Sequence, residues 1–275
     1  MKIAVHQMCS GIDPAKNLQD MLRAIDESAK QQAGFYFAPE MALILDRDRH
    51  RAATHIVAET EYPHILALQA AAKEARIWLH IGSLPVVADD GGGKFANRSL
   101  IINDQGEIAA RYDKIHLFDV QLADGENWQE SRQYVPGKHP ALVQTPLGKM
   151  GLTICYDLRF PSLFGALALA GAEILAVPAA FTVPTGKAHW HGLIRTRAIE
   201  SAAFVVAAAQ SGSHKDGRKT FGHSLVVDPW GEILLDMGEV EGLGFAEIDL
   251  ARIAEVRGQI PVHLNRRDIG EVKRF

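Results

Sequence analysis

Cysteine is scarce in this 275-residue chain, which has two, Cys9 and Cys155. Their number excludes a disulfide framework and a cysteine-rich zinc site, and it points to a reducing compartment. Long apolar runs are missing as well. No segment approaches the roughly 20 apolar residues of a membrane-spanning helix, and the opening MKIAVHQMCSG is too short in apolar residues for a signal peptide. The expectation is a cytoplasmic protein with no membrane partner. Basic clusters are absent too: 29 Lys and Arg against 33 Asp and Glu leave a formal charge of -4, with no footprint for nucleic acid. Nor is there a Pro/Gly/Ser-rich linker, so residues 1–275 are read as one domain. What is present is an ordinary globular composition, 47% hydrophobic and 23% charged.

Short β-rich runs alternate with helical patterns, which predicts an α/β fold. Strands are expected at 2–7, 35–37, 77–83, 99–103, 107–112, 149–155, 174–177, 204–209 and 244–248, with a hairpin of 224–228 and 232–236 turning at Pro229-Trp230-Gly231. Helices are expected at 63–76, 162–170, 185–202 and 250–257. Another starts where Asp13 caps Pro14, with Leu18, Met21, Leu22, Ile25 and Ala29 at helical spacing. Residues 89–93 read as a hairpin loop. The stretch 116–138 has no clean period and reads as a long functional loop.

Three residues follow strands closely, where α/β sheets gather their sites. Cys155 ends an apolar run and precedes a polar turn, an arrangement that can present a thiol beside backbone N–H groups; the alternative is a small buried hydrophobe. Glu40 follows a strand and a proline, and can exchange a proton with that thiol or simply be a solvated loop carboxylate. Lys114 can stabilise a thiolate and an oxyanion or be an ordinary wet lysine.

The segments Phe37-Ala38-Pro39-Glu40, Tyr112-Asp113-Lys114-Ile115-His116 and Ile154-Cys155-Tyr156-Asp157-Leu158-Arg159-Phe160-Pro161 resemble, in order, the three catalytic blocks of the nitrilase superfamily of carbon–nitrogen hydrolases. Similarity continues through Pro178-Ala179-Ala180-Phe181, Thr185-Gly186-Lys187 and Val227-Asp228-Pro229-Trp230-Gly231, and is greatest to the Nit branch. That resemblance implies a four-layer α-β-β-α sandwich, a homodimer, and hydrolysis of the distal amide of a small keto acid, of deaminated-glutathione or α-ketoglutaramate type. It assigns Cys155 as nucleophile, Glu40 as general base and Lys114 as oxyanion partner. Tyr156 is expected to lend its N–H to the oxyanion hole, Glu130 to position substrate or water, and Arg159, Phe181 and Thr185 to line the substrate pocket. Arg159 can pair with a carboxylate or serve a structural ion pair. No cofactor or metal is implied. His189 and His191 form a His-x-His pair, but a helix places such neighbours on different faces. At His191 the chain departs from the family, where glutamate is common, which puts acyl specificity in question. Nitrile hydrolysis, N-carbamoyl hydrolysis and a catalytically silent small-molecule-binding protein are the alternatives.

Overall fold

Successive side chains of the first strand, Lys2–Gln7, face opposite sides and are buried on both, and this sets the layers. Ile3 and Val5, with Phe35 and Phe37 of the neighbouring strand, enter the core shared with a second sheet. Ala4 and Tyr36 face the other way, into a cluster with Met21, Ile25, Leu68 and Ala72. Those four residues belong to helices Pro14–Lys30 and Pro63–Ala75, which form one outer layer. The chain is seen in a computed structural model that describes residues 1–88, 92–121 and 127–275.

The first sheet runs Gly242–Glu247, Lys2–Gln7, Phe35–Phe37, Trp78–His80, Phe95–Ile102 and Leu84–Val87, with Ile108–Asp113 also paired to Phe95–Ile102. The second runs Ile233–Asp236, Leu225–Val227, Phe204–Ala207, Ile174–Ala176, Gly148–Leu152 and Ala141–Thr145. Parallel pairs lie at the centre of each sheet, joined by helices as parallel pairing demands. Helices Pro161–Leu169 and Val183–Ser201 cover the second sheet through Leu163, Phe164, Leu167, Trp190, Ile194 and Ala198. The order is thus helices, sheet, sheet, helices.

Local chemistry explains where the helices begin. Asp13 accepts hydrogen bonds from the N–H groups of Ala15 and Lys16, worth about 1 kcal/mol over alanine. Proline opens the helices at Pro14, Pro63, Pro161 and Pro184, where its missing N–H has no partner to lose.

Several expectations need correction. The strand expected over 149–155 ends at Leu152, and Cys155 opens a separate 3-10 turn, Cys155–Arg159. The stretch 116–138 is not a structureless loop: Asp119–Gln121 pairs antiparallel with Asn127–Gln129, and Glu130–Arg132 forms a short turn. Strands Leu84–Val87 and Ala141–Thr145 were not anticipated, nor was the pair Ser211–Ser213 and Lys219–Phe221. Leu84–Val87 contains Pro85 and lies at a sheet edge, where a missing N–H is tolerated. Residues 89–91 of the expected hairpin loop at 89–93 lie outside the described residues.

Candidate active site

The turn that carries Cys155 is built by its neighbours. Thr153 donates from both N–H and Oγ1 to the Ala176 carbonyl, at 3.2 and 2.8 Å, and the Cys155 N–H donates to the Pro178 carbonyl at 2.9 Å. Between these anchors the chain reverses, with Cys155 in the left-handed region at φ +47°. A residue with a Cβ is strained there by roughly 1–2 kcal/mol, so the surrounding bonds must hold it.

Asp157 supplies much of that hold. It is fully buried and accepts from the Ile154 N–H (2.9 Å), the Tyr112 hydroxyl (2.7 Å) and the His116 N–H (3.0 Å), with the His116 ring Nδ1 at 2.7 Å. The carboxylate thus bonds residues on both sides of Lys114 to the residue before Cys155. Only an acceptor-only group fits this set of donors. Asp157→Asn is expected to cost about 2–3 kcal/mol in urea unfolding, because an amide leaves a buried donor unmatched. The same variant is expected to slow alkylation of Cys155 by loosening the turn.

Glu40 is delivered by a second tight arrangement. A Cβ on Gly82, at φ +70°, would overlap the Pro39 carbonyl, so only glycine lets the two loops approach. Glu40 is 5% exposed. Its Oε1 receives Lys114 Nζ at 2.8 Å and Asn97 Nδ2 at 3.0 Å, and its Oε2 receives the Ala180 N–H at 3.0 Å. Its charge faces the Cys155 thiol and raises the energy of the thiolate.

Lys114, 2% exposed, is shared with a second carboxylate, Glu130, at 2.9 and 3.2 Å from Oε2 and Oε1. Glu130 is held in turn by the Phe118 N–H at 2.6 Å and by Asn97 Nδ2 at 3.3 Å. The small strand pair at 119–129 therefore has a purpose, since it closes against Phe118 and leads directly into Glu130.

Electrostatics follow from this packing. Burial, then the charge of Glu40, pushes the Cys155 thiol well above the ordinary cysteine range, and Lys114 only partly offsets them. Burial alone would pull Lys114 down, but Glu130 and Glu40 outweigh it and hold the ammonium well above the usual lysine range. At neutral pH the site therefore rests as a protonated thiol beside a charged lysine. A base must take the thiol proton as the sulfur attacks.

These groups open into a cavity of about 380 Å³. Glu40, Lys114, Glu130 and Cys155 line it, and so do the other four residues singled out in the sequence: Tyr156, Arg159, Phe181 and Thr185. The Arg159 guanidinium lies 5.4 Å from the Phe181 ring centre and 6.0 Å from that of Tyr156, and its Nη1 is 3.3 Å from His189 Nδ1. It has no acidic partner within 4.0 Å among the described residues. Thr185 and Thr182 share a hydroxyl contact of 2.8 Å.

His191 does not line the cavity. Its Nε2 lies 2.9 Å from Asp236 Oδ2, and it is His223 that shares this carboxylate, while His189 faces Arg159. Sequence reasoning missed Asn97 and Asp157. The only trace of Asn97 is a polar residue among the apolar positions of strand Phe95–Ile102.

Known proteins resemble this chain in sequence and fold. Residues 2–258 match the carbon-nitrogen hydrolase family model. A deaminated glutathione amidase of Yersinia enterocolitica is 38% identical, covering 98% of this chain and 94% of its own length. The human protein of the same name is 40% identical over 96% of this chain and 82% of its own. The crystal structure of Saccharomyces cerevisiae Nit3, a member of branch 10 of the nitrilase superfamily, superposes with a TM-score of 0.86 at 30% identity, covering 95% of this chain and 94% of that one. The chain belongs to the carbon-nitrogen hydrolase family, within the nitrilase superfamily, and is an amidohydrolase.

Proposed function

We propose that this amidohydrolase cleaves the distal amide of a small carboxylate-bearing keto acid, of the deaminated-glutathione type, through a thioester on Cys155. One observation carries the reading. The buried ammonium of Lys114 lies 2.8 Å from Glu40 and 2.9 Å from Glu130, and Cys155 lines the same cavity as all three. The names borne by the Yersinia and human relatives support the substrate type.

Glu40 takes the Cys155 proton while Sγ attacks the amide carbon, and the carbonyl electron pair moves onto oxygen. Lys114 and the Tyr156 N–H hold that oxyanion. As the tetrahedral adduct collapses, Glu40 returns the proton to the leaving nitrogen, giving a thioester and free ammonia or amine. Glu40 then takes a proton from water, which attacks the thioester, and Cys155 regains the proton as the acid departs. Glu130 keeps Lys114 aimed at the carbonyl oxygen. Each proton passes among sulfur, Glu40, the leaving nitrogen and water, so the cycle requires no cofactor.

Arg159 is the carboxylate reader in this scheme, because its fork has no acidic partner among the described residues and lies near two aromatic rings. Arg159→Leu is expected to raise KM for keto-acid amides by about a hundredfold, near 3 kcal/mol, and to leave neutral amides within a fewfold. Equal loss for both would remove that role. The function as a whole is tested by assaying ammonia or amine release from deaminated glutathione, α-ketoglutaramate, nitriles and N-carbamoyl acids. Release from nitriles or carbamoyl compounds alone would overturn the amidase reading.

Assembly as a homodimer and a cytoplasmic location belong to the same proposal. Leu169 and Ile199, each 50% exposed on the two outer helices, support a covered face, and light scattering at twice the chain mass is the expected result. Among the described residues no helix is long and apolar enough to cross a membrane.

A further inference from the structure

We infer that His191, His223 and Asp236 form a binding site for one divalent first-row transition-metal ion, of which Zn²⁺ is the representative, outside the catalytic cavity. The three residues come from separate elements. His191 is on helix Val183–Ser201, His223 follows strand Lys219–Phe221, and Asp236 ends strand Ile233–Asp236. Their donor atoms all lie within 4.8 Å of one another.

The spacing suits an ion after a small closure of the rings. His191 Nε2 is 2.9 Å from Asp236 Oδ2, and His223 Nδ1 is 2.9 Å from Oδ1. Two bonds of about 2 Å span at most about 4 Å, so donors lying within 4.8 Å of one another need to approach by no more than about 1 Å to meet one cation held by the carboxylate. Two imidazoles and a carboxylate are the donors that zinc and its neighbours prefer over magnesium or calcium.

The ligands are also held in place before any ion arrives. The Gly238 N–H donates to Asp236 Oδ1 at 2.9 Å, fixing the carboxylate. His223 sits at φ +54°, with its N–H on the Gly238 carbonyl at 2.6 Å and its own carbonyl accepting from Trp190 Nε1 at 2.7 Å. Its ring stacks on Phe221 at 4.4 Å. Such an uncommon backbone conformation persists only when its surroundings hold it, and here it aims Nδ1 at Asp236.

Proton accounting closes. Without the ion, each imidazole places its proton on the nitrogen facing Asp236. The opposite nitrogens, His191 Nδ1 and His223 Nε2, hydrogen-bond no described residue. On binding, each ring moves its proton to that outer nitrogen and offers a lone pair inward. The side chains are 22–35% exposed, which gives the ion a way in. The bound ion joins the helix that carries Thr185 to the strand layer beneath it, which makes it a structural staple rather than a participant in catalysis.

The experiment uses the full chain with Cys155→Ala, so that no active-site thiol competes for the metal, stripped with chelator and titrated with Zn²⁺ by calorimetry. The expected result is one ion per chain, with a Kd of about micromolar and a higher Tm when the ion is present. His191→Gln and Asp236→Asn are each expected to weaken binding at least about tenfold, by the loss of one ligand in three, and His189→Ala to leave it unchanged. His191 is on a helix face, so its variant folds even if changes at His223 do not. Absence of one-per-chain binding, or equal binding by the His191→Gln and Asp236→Asn variants, overturns the site and leaves a hydrogen-bonded His–Asp–His clamp. Neither outcome bears on the thiol chemistry, which the amide assays decide separately.

Discussion

Cys155→Ala is expected to abolish amide turnover, by at least roughly 10⁴-fold, while the chain folds normally. The thiol is the one sulfur nucleophile lining the cavity among the described residues, so what survives is catalysis by binding and oxyanion contacts alone. Folding is spared because alanine keeps the Cβ and thus the same left-handed strain, and every anchoring bond of the turn is made by backbone or by other side chains. Ammonia or amine release and urea unfolding measure the two halves. Turnover within tenfold of the parent would end the thioester mechanism.

The same variant carries a pH signature. In the folded protein the Cys155 thiol titrates above its ordinary range, so the stability linked to its bound proton is complete below the unfolded thiol value, about 8.5, and is lost as pH rises toward the folded value. Alanine has no such proton to lose. The parent should therefore lose stability relative to Cys155→Ala as pH rises from 8 to 10. Cys9, whose thiol burial and Glu241 raise to about 11, is common to both proteins and cancels. A stability difference that is flat across this interval would mean that the thiol is not sheltered as described.

The second large effect concerns Lys114. Lys114→Met is expected to lower kcat by roughly 10³-fold, the scale of a lost oxyanion donor. It should also cost about 3–5 kcal/mol of stability, because Glu40 and Glu130 are then left buried without their shared cation. Adding Glu130→Gln should recover part of the stability and none of the rate. That split separates the two duties of the lysine. Equal recovery of both would mean that Lys114 is only a structural counter-ion. Its raised titration places the loss of its contribution at strongly alkaline pH, above the ordinary lysine range, so the stability gap between parent and Lys114→Met should not change on its account between pH 6 and 9.

Much of the fold was legible because its signals are local. The apolar run Ile3, Ala4 and Val5 and the cap at Asp13 before Pro14 depend on neighbours a few residues away. Three-residue strands such as Asp119–Gln121, Asn127–Gln129 and Lys219–Phe221 are too short to show a period. They exist because a partner strand supplies the other half of the ladder. Asn97 and Asp157 were hidden for a related reason. Each is an ordinary polar residue whose importance lies in donors or acceptors brought from distant segments, Glu40 and Glu130 for one, Tyr112 and His116 for the other.

The motifs around Glu40, Lys114 and Cys155, each soon after a strand, were sufficient to identify the family and to nominate these side chains as candidates for the chemistry. Their protonation was not contained in those motifs. It is decided where Glu40, Lys114, Glu130 and Cys155, far apart along the polypeptide, are enclosed together and deprived of water, because the cost of a buried charge depends on which charges face it. His191 makes the same point in reverse: an unexpected residue within a familiar motif acquired its meaning only from Asp236 and His223, which folding placed beside it.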